Sequence, residues 1–218
     1  MGFNIPVIIN NFNRLTTTRK LAEDLSKLGY RNIHILDNAS TYPPLLEWYK
    51  ECPYTVKRLD ANLGNLAIYN SAYISNFNGW VVYSDSDILL GENTPQDVVE
   101  KMIEATEKYG YLKAGLSLRI DDLPNTDYGN KARIWERKYW EQKLEEDVYE
   151  AEVDTTFSII RTDQPFMYKA LRLGGRYTAI HHPWYLDYSN LSEEEKYVIN
   201  ASDSTYSTTK RYVNSLSL

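Results

Sequence analysis

Residues 80–90 read Trp-Val-Val-Tyr-Ser-Asp-Ser-Asp-Ile-Leu-Leu, so Asp85 and Asp87 interrupt an apolar run one residue apart. In an extended chain, residues i and i+2 point the same way. Two neighbouring carboxylates repel unless a cation joins them. Hard divalent ions such as Mg²⁺ and Mn²⁺ prefer oxygen ligands, often one or two carboxylates with the phosphates of a substrate. The pair therefore points to a metal–diphosphate site. A solvated acidic turn is the competing reading.

Two more polar clusters end apolar runs upstream. Leu-Asp-Asn-Ala-Ser (36–40) offers Asp37 and Asn38. An acidic residue at such an edge can accept hydrogen bonds from a ribose or a base. Asp-Ala-Asn-Leu-Gly-Asn (60–65) contains Gly64, which lets a backbone approach a ligand closely. Taken singly, these read better as an Asx turn and a plain loop. The signal lies in finding all three sets after successive strands.

The elements that must position them follow from periodicity. Short branched apolar runs predict strands over 5–10, 32–36, 54–59, 80–84 and 111–120. Helices are predicted over 16–29, 43–52, 65–75 and 94–110. In the last of these, Thr94 reads as N-cap, Pro95 as the first helical residue and Gly110 as the stop. Alternation of this kind implies right-handed crossovers and a largely parallel sheet. In open sheets of this class ligands bind beyond the carboxyl ends of the strands. Further along, 121–130 reads as a polar loop and 131–146 as a charged helix. Residues 156–161 and 177–184 read as extended, and 192–200 as a helix with Ser192 and Glu195 spaced for a capping box.

The 218 residues suit one domain, and 43% hydrophobic with 25% charged residues is ordinary for a globular protein. A single cysteine, Cys52, excludes an internal disulfide. The net charge of −6 and the lack of any basic block argue against nucleic acid. No apolar run approaches a membrane span, and no signal-peptide pattern opens the chain, so a cytoplasmic location is expected.

The stretches PVIINNFNRLTTTRKLAEDL, IHILDNAST, NLGN with the following YN, and VVYSDSDILL occur in an order and spacing that resemble family 2-type glycosyltransferases of the GT-A fold. The likeness covers the first 90 residues well and continues more weakly. LSLRIDDLPN and the VDTTFSIIR…YTAIHHPWY blocks resemble small GT-A enzymes of bacteria and large DNA viruses, including the chlorovirus type. The host cytoplasm would be the location if the chain is viral. The resemblance implies an α/β, Rossmann-like GT-A domain over 1–218. Its nucleotide-binding half would be 1–90, its sugar and acceptor half 91–205, and its tail 206–218. It implies a UDP-sugar donor, a glycan acceptor and Mn²⁺ or Mg²⁺. Asp37 would contact uridine, Asn11 and Arg14 would line the nucleotide pocket, and Asn62 and Ser86 would complete it. Asp85 matches the first carboxylate of the motif, facing ribose or metal-bound water, and Asp87 the direct ligand.

Sugar transfer leaves charge on a departing diphosphate and needs a base beside the acceptor hydroxyl. Asp154, just before a predicted strand, is the candidate base, and matches the acid of the family. Asp121 and Asp122 are its rivals. His181, in His-His-Pro-Trp, is the expected further metal ligand, with a turn histidine as the alternative. Trp184 and Tyr185 are placed either to stack on a sugar or to pack the core. Arg119, Arg161 and Arg176 are candidate diphosphate contacts, and 125–130 a candidate lid.

Other classes fit less well. A dehalogenase-type phosphatase would carry its acidic motif on the first strand, with Thr or Val where Leu89 stands. No glycine-rich dinucleotide fingerprint follows the first strand. The first loop, IINNFNRLTTTR, has no glycine, which argues against a sugar-nucleotidyltransferase. That class and a non-catalytic carbohydrate- or nucleotide-sugar-binding module stay open as alternatives.

Overall fold

A computed structural model describes residues 2–202. The Ser/Thr-rich tail lies outside the described residues. The core begins with β1 (Val7–Asn11), β2 (Ile33–Asp37), β3 (Thr55–Arg58) and β4 (Trp80–Asp85), all parallel, in the order β3-β2-β1-β4. Parallel strands covered on both faces favour continuous apolar runs, and Val7, Ile8 and Ile9 of β1 are fully buried before Asn10 and Asn11 end the strand at its edge. Val7 and Ile9 face one layer, with Leu21 and Leu25 of α1 (Thr16–Lys27) and Val98 and Met102 of α4 (Val98–Tyr109). Ile8 faces the other, with Ala67 and Ile68 of α3 (Ala67–Asn70). Each fully buried Ile or Leu contributes roughly 1.5–3 kcal/mol.

Beyond β4 the sheet becomes mixed. β9 (Ser158–Arg161) runs antiparallel between β4 and β6 (Ala114–Leu116). β10 (Leu171–Leu173) pairs parallel with β6, and the hairpin of β7 (Lys143–Glu145) and β8 (Val148–Glu150) finishes the nine strands. A separate two-stranded ribbon joins β5 (Ile88–Leu90) antiparallel to β11 (Ala179–His181). The two remaining helices that matter for the site are α5 (Asp127–Arg137) and α6 (Glu193–Ala201). The expected α/β class and flanked central sheet are observed.

Several boundaries differ from the sequence expectation. Helix 65–75 breaks after Asn70, where Ala72 takes a left-handed conformation (φ +56°) and a 3₁₀ turn follows. Thr94 and Pro95 do not start α4; they form a turn before it, and Asp97 occupies the cap position without a side-chain bond. The charged helix begins earlier, at Asp127, because the Thr126 hydroxyl accepts from Gly129 N (3.0 Å). It ends at Arg137, and its early start makes residues 127–130 of the 125–130 stretch helical. Helix α2 (Pro43–Trp48) starts where expected but stops short of residue 52, and the capping box of α6 matches the expectation.

Candidate active site

The carboxyl ends of β1 to β4 place five polar residues side by side. Asn10 pairs in register with Asp85, Asn11 with Asp37, and Asp37 with Arg58. Asp37 is fully buried. Its oxygens accept from Arg58 Nε (3.0 Å), Tyr49 Oη (3.1 Å) and Ser40 N (3.3 Å). The residue expected against uridine thus has protein groups as its observed partners, and it fixes the wall of this edge. Asn11 is used likewise: its amide donates to Arg14 O (2.9 Å) and Tyr49 Oη (2.8 Å), and its carbonyl accepts from Arg14 N (3.2 Å). Asn62 is exposed and accepts from Gly64 N (2.9 Å).

The first two loops lock together. Asn13, at φ +60°, accepts from Thr41 N (2.6 Å) and Tyr42 N (2.9 Å), while its own N–H donates to Ser40 Oγ (2.8 Å). Helix α6 closes the same corner from the far end of the sequence. Glu194 accepts from Leu15 N, Thr16 N (both 2.9 Å) and Thr16 Oγ1 (2.7 Å), so a carboxylate caps the positive end of α1. Tyr197 stacks near Tyr42, with centroids 4.9 Å apart, and donates to Thr41 Oγ1 (3.0 Å).

Asp85 ends β4 and accepts from Thr155 Oγ1 (2.6 Å) and Asn10 Nδ2 (3.4 Å). Burial holds its carboxyl well above the ordinary range, and Asp87 adds repulsion; the two hydrogen bonds only partly offset this. Ser86 is buried in the turn, its N–H donating to Asn10 O (3.1 Å). Asp87 then points to a cationic corner. Arg14 Nη2 lies 3.4 Å from Oδ2, and His181 Nε2 4.0 Å from Oδ1. For Asp87, burial raises the carboxyl, but Arg14 and His181 outweigh it and the net direction is down. The β5–β11 ribbon sets this meeting, since His181 pairs with Ile88 and His182 N donates to Asp87 O (2.9 Å). Trp184 packs on the His181 ring at 4.7 Å. Burial lowers His181 below the ordinary histidine value despite the pull of Asp87, which favours the neutral ring.

A divalent ion fits this donor set by chemistry. Asp87 favours its ionised form and His181 its neutral form, which are the states that ligate metals. Among the described residues no three acidic, imidazole or thiol groups converge as a ready cage. Asp87 and His181 are therefore the side chains that could hold an ion, with Asp85 behind them.

Asp154 stands beside this group, close enough for its charge to raise Asp85. It is exposed, and its Oδ1 accepts from Thr156 N (3.0 Å) and Thr156 Oγ1 (2.7 Å), so it also caps a turn. Its rivals are pinned elsewhere. Arg119 Nε donates to Asp121 (3.0 Å) and lies 3.1 Å from Asp122, and Tyr185 Oη donates to Asp122 (2.7 Å). Arg161 pairs with Asp163 beyond the carboxyl end of β9, which runs antiparallel to β4, at the opposite sheet edge.

Sequence reasoning missed the groups that hold Asp154. Lys113 is fully buried on the approach to β6, and its ammonium donates to Val153 O (2.8 Å), Asp154 O (2.6 Å) and Met167 O (3.0 Å). Arg172 on β10 donates to Glu152 O (2.7 Å) and pairs with buried Glu136 of α5. The one visible signal was a charged residue inside each of two apolar strand patterns.

No protein-family model matches the chain, and no curated protein matches it by sequence. Solved structures do match. The mannosyltransferase PcManGT from Pyrobaculum calidifontis, in complex with GDP-Man and Mn²⁺, gives a TM-score of 0.54 at 12% identity, covering 98% of this chain and 73% of that one. S. aureus TarS (1–349) gives 0.50 at 12% identity, covering 96% and 69%. At such identity the likeness is one of fold, and it is the fold expected from the sequence: a GT-A-like α/β domain.

Proposed function

We propose that the chain is a glycosyltransferase that moves a sugar from a nucleotide diphosphate donor to a hydroxyl of a glycan acceptor. The observation that carries this is Asp87, facing Arg14 and His181 at the carboxyl edge of a GT-A-like sheet, with Asp154 beside it. Asp87 and His181 would hold Mn²⁺ or Mg²⁺. When bound, the ion neutralises the charge that builds on the leaving diphosphate. Arg14 adds a fixed positive charge on the same edge. Asp85, half-buried and bonded to Thr155, orients the turn that presents Asp87. Asp154 takes the proton of the acceptor hydroxyl, which makes the transfer inverting. The first four strands form the donor half, and the segments around Asp121, Asp154 and His181 the acceptor half. Sequence resemblance favours UDP, whereas the mannosyltransferase of similar fold was solved with GDP-Man.

Calorimetric titration of UDP, GDP and their sugars, with and without Mn²⁺, tests the donor. Metal-dependent binding of one nucleotide is expected, and Asp87→Ala should abolish it with the fold intact. Asp154→Asn should keep donor binding and lose transfer. Full metal-dependent turnover in Asp87→Ala would sink the reading.

A further inference from the structure

Asp87 and His181 stand at one end of the β5–β11 ribbon. At the other end, where Gly91 N donates to Thr178 O (3.3 Å), a cleft of about 510 Å³ opens. Three strand steps separate the two ends, about 10 Å. The volume lies in the range of small-ligand sites. Trp140, Arg119, Arg176, Asp121, Glu92 and Asn93 stand on its wall.

The chemistry of that wall selects a ligand class. Two guanidiniums face two carboxylates, so the cleft has no excess charge to attract a phosphate or a metal ion. Asp121 already accepts from Arg119 Nε (3.0 Å), and Arg176 lies on the Tyr177 ring, 5.3 Å from its centroid. What remains is a rim that offers guanidinium and amide donors together with carboxylate and amide acceptors. Hydroxyls, each both donor and acceptor, match such a rim. Trp140 supplies an apolar body. Its Nε1 donates to Leu118 O (3.2 Å) and its ring meets Tyr149 edge-on at 5.1 Å, so it is held in place before any ligand arrives.

We propose that this cleft binds a neutral saccharide and takes the non-reacting end of the glycan acceptor. The binding assignment rests on the cleft, and the acceptor role rests on the transferase reading above. The ribbon spacing would set how far the bound unit lies from the reacting hydroxyl.

The test is a titration of the full chain, without donor or metal, followed by amide and indole NMR signals. The probes are maltose, cellobiose, lactose, mannobiose and N,N′-diacetylchitobiose, with a sugar phosphate as the charged control. At least one disaccharide should shift the Trp140 indole and the Gly91 and Gly175 amides saturably. Arg176→Ala and Asn93→Ala, both at exposed positions, should each weaken that binding about tenfold and leave other signals native. The proposal falls if no disaccharide moves these signals, if shifts appear only at Asn10 and Asp85, or if the sugar phosphate binds tighter. Nucleotide binding is read separately at Leu15 and Ser86. Saccharide shifts at Trp140 with no nucleotide response would sink the transferase reading and uphold the cleft.

Discussion

Thr155 Oγ1 donates a 2.6 Å hydrogen bond to Asp85 Oδ2, and Asp85 N donates to Thr155 O (2.9 Å). The acidic turn after β4 is thereby tied to the segment that carries Asp154. Replacing Thr155 by Val keeps the shape and removes the donor. A half-buried carboxyl group that loses one of its two hydrogen-bond partners gives up about 1 kcal/mol. Urea denaturation of Thr155→Val should show a loss of that order, and transfer should fall with it, while Thr155→Ser should restore both. An unchanged midpoint with normal turnover would show that the bond does nothing.

Lys113 gives a pH dependence of unusual sign. Burial lowers its ammonium to about 8, against the pull of Asp154 and with added repulsion from Arg172. Between about 8 and the ordinary 10.5, the unfolded chain keeps a proton that the folded chain has released. Stability contributed through this group therefore rises with pH across that window. The span corresponds to a gain on the order of 3 kcal/mol. Denaturation of the wild type and of Lys113→Met at several pH values isolates the effect as a difference. A difference that stays flat from pH 8 upward would refute it.

The Arg172–Glu136 pair is buried on both sides, with 3% and 2% of each residue exposed. Burial raises Glu136 to about 7 even with the Arg172 guanidinium beside it. Arg172→Met leaves that carboxyl unpaired and frees Glu152 O, and should cost about 3–5 kcal/mol at neutral pH. The double variant Arg172→Met with Glu136→Leu should recover much of the loss, since a well-packed apolar pair can replace a buried ion pair. Thermal unfolding of the single and double variants measures this, and equal losses in both would contradict it.

Glu194 makes three hydrogen bonds to the first turn of α1 from a helix 178 residues away in sequence. Glu194→Ala should cost about 0.5–2 kcal/mol, as the loss of a helix cap does. Glu194→Gln should fall between, because it keeps an acceptor and loses the charge. Amide hydrogen exchange of Leu15 and Thr16 reads the effect locally; protection unchanged in Glu194→Ala would show that water replaces the carboxylate at no cost.

Much of the fold was legible because its first half follows simple rules. β1, β2 and β4 are dominated by buried apolar residues, and each ends in polar residues or a carboxylate at the sheet edge. Asp85 and Asp87 stood out through their spacing together with their place at the end of an apolar strand. The second half resisted for physical reasons. β5, β6, β7, β8 and β10 span three residues each, too short to show a period. Lys113 and Arg172 look like surface charges in the sequence, yet they sit inside because backbone carbonyls from a distant segment accept their protons. Glu194 reads as one of three acids in a first helical turn, and only the tertiary fold shows that it serves a different helix.

The ribbon of β5 and β11 also sets where the chain tolerates changes of length. Asp87 and His181 meet because two three-residue strands count in opposite directions from Leu90 and Ala179. One residue inserted in either strand would turn every side chain beyond it to the other face, and His181 away from Asp87. The largely exposed turn 50–53 between α2 and β3 carries no such count and can grow or shrink as surface loops do. Insertions and deletions among descendants of this sequence should therefore gather in that loop and leave 87–90 and 179–181 at fixed length.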